Sequence, residues 1–159
     1  ALPSELGELT ALNRLELRFN EFEQGIPTFI GRLTSVTLLA LDHNKLVGEL
    51  PTEIGEMRDL VDFFWYRNSI GGALPTEFVA LTNIRILHGA YNQHVGQLPT
   101  EWGGETSRMS TLRSLNLGVN YKLETSIPSE FGRLGQLREL FLNHTALCGE
   151  IPTELGELS

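Results

Sequence analysis

The stretch VTLLALDHNKLVGELPTEIGEMRD, residues 36–59, contains the pattern that decides the fold of this chain. Leu39 and Leu41 are two residues apart, which places both side chains on the same face of a short strand. Asn44 follows where the chain must turn, and its amide can both donate and accept hydrogen bonds with turn backbone. Pro51 lacks an N–H and suits the first position of a helical turn. The stretch therefore predicts one strand, one turn and one short helical or 3₁₀ segment.

The same unit recurs along the chain with a period of about 24 residues. All seven prolines occupy one position of the unit, with spacings of 24, 24, 24, 24, 29 and 24 residues: Pro3, Pro27, Pro51, Pro75, Pro99, Pro128 and Pro152. A ladder of asparagines has nearly the same period: Asn20, Asn44, Asn68, Asn92 and Asn120. A fixed period of this length is typical of a solenoid, in which one supersecondary unit is stacked repeatedly around a continuous core.

One strand per unit predicts a single parallel sheet, because every unit re-enters the stack in the same direction. The expected strands are Arg14–Leu17, Leu38–Leu41, Asp62–Trp65, Ile86–Gly89, Ser114–Leu117 and Glu139–Leu142. Residues 1–159 hold about 6.5 units, which predicts a single array without terminal caps, because both ends fall within a unit. We therefore expect a segment of a longer array, or a chain whose uncapped ends contact another subunit or repeat.

Two local features depart from the repeating unit. Trp65 and Gly89 occupy the same core position in adjacent units, and a large side chain beside a missing one predicts compensation of volume within the core. The period is also lengthened within residues 102–109 and 120–127, which we place on loops outside the sheet.

Composition excludes several classes of partner and of chemistry. The 12 basic and 20 acidic residues give a net charge of −8, and no cluster of lysine and arginine stands out along the sequence. This composition argues against binding to nucleic acid and to anionic membranes. No apolar run reaches the length of a membrane span, so any membrane attachment requires a segment outside this chain.

The sequence contains no arrangement of residues that supports catalysis. The four histidines are dispersed over the units, the chain has one cysteine, and no phosphate loop or nucleophile motif is present. We therefore predict that the chain is not an enzyme and has neither a metal site nor a cofactor.

The repeat resembles the plant-type leucine-rich repeat, with the pattern L-x-x-L-x-L-x-x-N-x-L-x-G-x-I/L-P-x-x-[LIFW]-G-x-L along the chain. The resemblance implies an α/β solenoid: a right-handed superhelix with one parallel β-sheet on the concave face and short 3₁₀ or helical turns on the convex side. Similar proteins include receptor-like kinase ectodomains, receptor-like proteins and polygalacturonase-inhibiting proteins. The resemblance implies an extracellular or cell-surface location and a partner on the concave sheet, either a protein or peptide or, as an alternative, a glycan. The cysteine-paired caps of that family have no counterpart here.

The candidate partner-binding residues are those that alternate with the core leucines of the strands. They are Arg14, Glu16, Arg18, Leu38, Asp42, Asp62, Phe64, Tyr66, Ile86, His88, Asn116, Glu139 and Phe141. Phe64, Tyr66 and Ile86 are predicted to form an apolar patch, with Asp42, Asp62 and His88 at its rim. An apolar centre with a polar rim is typical of protein-binding surfaces.

Two functions remain open from the sequence. The first is a non-catalytic recognition module that binds a protein or peptide on the concave sheet, as a receptor ectodomain or a secreted inhibitor. The second is a structural scaffold or spacer array in a surface layer or a multi-subunit assembly. Asn143-His144-Thr145 is an N-glycosylation sequon, which makes Asn143 a candidate glycan site if the chain is secreted.

Overall fold

A computed structural model of the protein describes residues 2–124 and 126–158. Six short strands form one sheet in the order of the chain: β1 Arg14–Glu16, β2 Leu38–Ala40, β3 Asp62–Phe64, β4 Ile86–His88, β5 Ser114–Asn116 and β6 Glu139–Phe141. Every neighbouring pair is parallel, and the core residue Leu39 pairs with Leu15 on one side and Phe63 on the other. The predicted solenoid with a single parallel sheet is confirmed, and each strand lies within its predicted range.

A 3₁₀ helix directly follows each proline of the ladder. These helices are Ser4–Glu8, Thr28–Arg32, Thr52–Glu56, Thr76–Ala80, Thr100–Gly103, Ser129–Arg133 and Thr153–Glu157. The φ angles of these prolines suit the residue directly before a 3₁₀ helix, as at Pro51, where φ is −69°. We call the side of these helices the convex face and the solvent-facing side of the sheet the concave face. The predicted short turns on the convex side are therefore confirmed as 3₁₀ helices.

The core lies between the sheet and the 3₁₀ helices and runs continuously along the array. Strand residues such as Leu39 and Leu87 and helix residues such as Ile54 and Phe131 have no exposed surface. Each unit covers the apolar face of its neighbours, so burial in the stack is the main stabilising contribution.

The asparagine ladder satisfies the backbone where each strand ends. Asn68 Nδ2 donates to the carbonyl oxygens of Trp65, at 2.9 Å, and of Leu41 in the preceding unit, at 3.1 Å. Its Oδ1 accepts a hydrogen bond from the Leu46 N–H at 3.0 Å. One side chain therefore connects two units through three backbone groups, as buried polar backbone requires.

Asn68→Ala is expected to lower the free energy of unfolding by about 1–3 kcal/mol, because it leaves buried backbone groups of two units without partners. Denaturant midpoints measure the change. Asn13→Ala is the control, since the exposed Asn13 makes a single long hydrogen bond, at 3.4 Å, to the Ser35 carbonyl. Equal midpoints for both variants would show that the ladder does not stabilise the stack.

The predicted compensation between Trp65 and Gly89 is present in the core. A Cβ atom at Gly89 would overlap the Trp65 indole ring, which fills the volume that Gly89 leaves empty. The indole Nε1 donates a hydrogen bond of 2.9 Å to Nε2 of His94, and all of these side chains are buried. The sequence pattern did not identify this histidine as part of the core.

The first lengthening of the period lies beside a local difference between the 3₁₀ helices on the convex side. Gly55 lets its 3₁₀ helix approach the backbone of the next one, near Glu77 O, but Val79 occupies the equivalent position in the following helix. The inserted segment contacts this helix, since the Arg108 N–H donates to the Val79 carbonyl at 3.0 Å. The insertion lies outside the sheet, as predicted. In the second lengthened stretch, Thr125 lies outside the described residues.

Candidate protein-binding surface

The strand register arranges the predicted binding residues in rows across the concave face. One row contains Arg14, Leu38, Asp62, Ile86, Ser114 and Glu139, and the next contains Glu16, Ala40, Phe64, His88, Asn116 and Phe141. Every predicted binding residue except Asp42 is exposed or half-buried. Phe141 lies three strands from Phe64 in the second row and is 44% exposed, so it is separate from the central aromatic residues.

Asp42 was predicted at the exposed rim of the apolar patch, and the structure buries it instead. Its side chain has no exposed surface, because Arg18 and His43 cover it. Asp42 Oδ2 lies 3.1 Å from His43 Nδ1, and Oδ1 lies 3.8 Å from Arg18 Nε. Burial raises the pKa of the Tyr66 hydroxyl, and the adjacent Asp42 carboxylate raises it further. Asp42 therefore positions three surface side chains and is itself out of reach of a partner.

Charged side chains occupy the N-terminal end of the concave face. Arg14 Nη2 lies 2.8 Å from Glu16 Oε1, and Arg18 Nη2 lies 3.8 Å from Glu16 Oε2. The hydrogen bond from Arg14 lowers the pKa of Glu16. The Arg18 guanidinium also lies over the Phe64 ring, 5.6 Å from its centroid. Arg18 therefore joins the charged end of the surface to its aromatic centre.

A shallow depression of about 270 Å³ lies at the centre of the concave face. Its lining residues are Phe64, Tyr66, Arg67, His88, Ala90, Tyr91 and Asn116. We call this feature the central depression. Phe64 and His88 meet edge to face with ring centroids 5.5 Å apart, and Arg67 stacks over Tyr91 at 4.8 Å. The structure thus places predicted residues of three adjacent units around one concavity.

Four residues that directly precede ladder asparagines also contribute to this surface, and sequence reasoning missed them: Phe19, His43, Arg67 and Tyr91. These four residues have positive φ angles of 53° to 57°, and the equivalent Val119, before Asn120, and His144, before Thr145, have φ angles of 58° and 56°. This left-handed backbone is uncommon for residues other than glycine, and it turns the chain off the strand. Phe19 stacks on His43 at 4.1 Å, and His43 meets Tyr66 edge to face at 5.0 Å. The signal in the sequence was the position before the asparagine, where mostly aromatic and cationic residues recur.

Burial shifts the pKa of two titratable groups near the centre. It lowers the pKa of His88, although Glu139 and Asp62 act in the opposite direction. Burial also raises the pKa of Asp62, against the effects of Arg85, Arg14 and His88. His88 Nε2 lies 2.8 Å from Ser114 Oγ, which donates to Glu139 Oε2 at 2.7 Å. His88 is therefore neutral at pH 7, and the centre of the surface remains aromatic and weakly charged.

A larger depression, of about 880 Å³, lies on the convex face between Thr52–Glu56 and Thr76–Ala80. Acidic residues line it, namely Glu53, Glu56, Asp59 and Glu77, and none of its lining residues is aromatic. Protein-binding centres are rich in aromatic residues and poor in acidic ones. We therefore assign the candidate site to the smaller central depression.

In the described part of the chain, no group of three or more histidine, cysteine, aspartate or glutamate residues could hold a metal ion. Within the same residues, no helix has the length and apolar character needed to cross a membrane.

Comparisons with known proteins place this architecture in a family. A leucine-rich repeat family model matches residues 136–158. The leucine-rich repeat ectodomain of the Arabidopsis thaliana receptor kinase GASSHO1/SCHENGEN3 superposes over 99% of the chain with a TM-score of 0.93 and 33% identity. The chain belongs to the leucine-rich repeat family. That ectodomain was solved in complex with CASPARIAN STRIP INTEGRITY FACTOR 2, and this leucine-rich repeat chain spans 18% of its length.

Two further plant receptors are similar to this leucine-rich repeat protein. The peptide hormone receptor RGFR1, in complex with RGF2, is 32% identical over 99% of the chain, with a TM-score of 0.89. The Arabidopsis receptor kinase HAESA, in complex with the peptide hormone IDA and the co-receptor SERK1, is 31% identical over 99%, with a TM-score of 0.89. The chain spans 24% and 26% of these two structures. No curated protein sequence matches it.

Proposed function

We propose that this leucine-rich repeat array is a non-catalytic, extracellular recognition module that binds a protein or peptide partner on its concave sheet. The observation that supports this proposal is the central depression, in which Phe64, Tyr66 and Tyr91 surround a concavity beside Arg67. Aromatic and arginine side chains in a concave, partly desolvated setting are the usual anchors of protein interfaces.

The similar receptors support the choice of partner and location. RGFR1 and HAESA were each solved with a peptide hormone, and HAESA also with a co-receptor. GASSHO1/SCHENGEN3 is a membrane receptor kinase whose ectodomain carries the matching repeats. By this analogy the repeats of residues 1–159, which we propose form a single array, face the outside of the cell and bind a peptide rather than a glycan.

The surface around the depression is held in place before any partner binds. The buried Asp42 carboxylate lies within 4 Å of Arg18 and His43 and adjoins Tyr66. His43 in turn contacts the Tyr66 ring. Side chains that are already ordered lose little conformational entropy on binding, which favours affinity.

The double variant Phe64→Ala/Tyr66→Ala is expected to bind at least about thirtyfold more weakly, because truncating a central aromatic anchor commonly costs about 2 kcal/mol or more. Suitable ligands are peptides that the wild-type protein selects from a displayed random library. Affinities are measured by calorimetric titration, and circular dichroism verifies the fold.

The matched control is Glu53→Ala/Glu77→Ala, which removes two side chains from the convex depression. This control should bind as the wild type does. Loss of binding in Glu53→Ala/Glu77→Ala, together with wild-type binding in Phe64→Ala/Tyr66→Ala, would contradict the recognition proposal. That result would favour the alternative of a structural scaffold.

Asn143 remains a proposed N-glycosylation site. Its side chain is exposed, and its Nδ2 lies 3.1 Å from His144 Nδ1. A glycan there would cover the C-terminal part of the concave face near Phe141, and intact mass before and after N-glycan removal tests it.

A further inference from the structure

Three arginines form a basic column along the edge of the sheet. Arg85, Arg113 and Arg138 directly precede β4, β5 and β6, and all three are exposed. The Arg113 N–H donates to the Arg85 carbonyl at 2.9 Å, and the Arg138 N–H donates to the Arg113 carbonyl at 2.8 Å. Their backbones are therefore neighbours in the sheet, with the spacing of adjacent strands of about 4.8 Å.

The guanidinium groups of the basic column form no ion pair among the described residues, although Arg85 is close enough to Asp62 to act on the pKa of its carboxyl. None of its guanidinium groups lies within 4.0 Å of a described carboxylate, although other arginines such as Arg14, Arg18 and Arg133 do form ion pairs. The nearby Glu139 carboxylate instead accepts the Ser114 hydroxyl. Like charges on adjacent strands repel one another, which favours the binding of a negative group between them. In a protein of net charge −8, three cations on adjacent strands that form no ion pair with a described residue are a local site for negative charge.

The column adjoins the candidate binding surface. Arg85 is followed by Ile86 and, within the same strand, by His88, which lines the central depression. Arg138 is followed by Glu139 and Phe141 of the concave rows. One ligand lying across the sheet could therefore contact both the aromatic centre and the basic edge.

We propose that the basic column binds an acidic segment of a peptide ligand whose apolar part occupies the central depression. This inference rests on the proposed function and adds the charge of the ligand to it. Guanidinium groups bind carboxylates through paired, charge-assisted hydrogen bonds, which suits aspartate and glutamate side chains.

A uniform polyanion fits this surface less well than an acidic peptide. The equivalent positions of the first three units are uncharged, with Asn13, Thr37 and Val61, so the basic column ends at β4. A polysaccharide with a charge on every residue would continue over this uncharged stretch and meet the carboxylates of an acidic protein. A peptide can confine its acidic residues to the column and place apolar residues beside them.

The test uses two labelled synthetic peptides, each with a phenylalanine-leucine pair followed by a short run of glutamate or, in the second peptide, glutamine. The column variant is Arg85→Gln/Arg113→Gln/Arg138→Gln. The control variant, Arg32→Gln/Lys122→Gln/Arg133→Gln, removes the same charge from exposed positions outside the column. The wild type and the control should bind the glutamate peptide at least about tenfold more tightly than the glutamine peptide at low salt, as three exposed charge contacts permit. The column variant should lose that preference.

Three results would overturn the inference: no preference for glutamate in the wild type, an equal loss in the control variant, or binding of polygalacturonate but not of the acidic peptide through the column. The outcome is separable from the proposed function. If Phe64→Ala/Tyr66→Ala abolishes binding of the library peptides while the column variant binds them all normally, the recognition proposal stands and the acidic ligand is wrong.

Discussion

Replacing Trp65 and Gly89 together by leucine is expected to destabilise the protein much less than the sum of the single replacements. Trp65→Leu leaves a cavity beside Gly89, and Gly89→Leu drives a side chain into the indole ring. Each single change should cost about 3 kcal/mol, by loss of packing in one case and by overpacking in the other. The double variant places leucine at a repeat position that leucine occupies in other units, as at Leu41 and Leu117.

His94 determines how much less stable than the wild type the double variant remains. Without the Trp65 indole, the buried Nε2 of His94 loses its hydrogen-bond donor, which costs about 1–3 kcal/mol. Adding His94→Leu, as at Leu46 in an equivalent unit, should bring the triple variant close to the stability of the wild type. Denaturant unfolding of all variants gives the coupling free energy.

A pair of distant sites is the control for this cycle. Leu41→Ala and Leu117→Ala lie three units apart and should have additive effects. Additive effects for Trp65 and Gly89 as well would show that the two positions do not share one core volume.

Acidification from pH 6.5 to about 4 is expected to remove about 3 kcal/mol of stability through His94 alone. Burial lowers the pKa of His94 from 6.5 to about 4, and hydrogen bonds with Gly72 and Gly71 offset only part of this effect. The unfolded chain therefore takes up the proton near pH 6.5, whereas the folded chain takes it up only near pH 4. The stabilising contribution is complete above pH 6.5 and decreases as the pH falls.

The hydrogen bond from Trp65 explains why His94 is not readily protonated in the folded protein. The Trp65 indole N–H can only donate, so Nε2 of His94 must accept and cannot carry a hydrogen itself. His94→Gln keeps an acceptor for the indole but does not titrate. Unfolding free energies of the wild type and this variant should diverge between pH 6.5 and 4. Parallel pH profiles would show that His94 stays neutral in the unfolded chain or accessible in the folded one.

The repeating fold was predictable from the sequence because every unit places the same residue types at the same positions. Leu39 recurs at the centre of a strand, Leu41 as the buried residue directly after it, Asn44 in the turn, and Pro51 directly before a 3₁₀ helix. In a solenoid each unit contacts mainly its neighbours, so local pattern and global fold agree. The same alternation predicted that Phe64 and Tyr66 face away from the core.

The sites within this frame depended on tertiary contacts. Alternation placed Asp42 on the concave face, but Arg18 from the neighbouring unit and the adjacent His43 cover it. The core position of His94 was not predictable for the same reason, because its hydrogen-bond partner Trp65 is 29 residues away in the sequence.

The basic column separates what the sequence determined from what only the tertiary structure decided. Arg85, Arg113 and Arg138 directly precede three predicted strands, so the repeat pattern aligns them although they are 28 and 25 residues apart. The ladder of backbone hydrogen bonds confirms that they lie on adjacent strands. Only the tertiary structure shows that Arg14, Arg18 and Arg133 form ion pairs and that, within the described part of the chain, these three arginines do not, because electrostatic interactions depend on distance in space rather than along the chain.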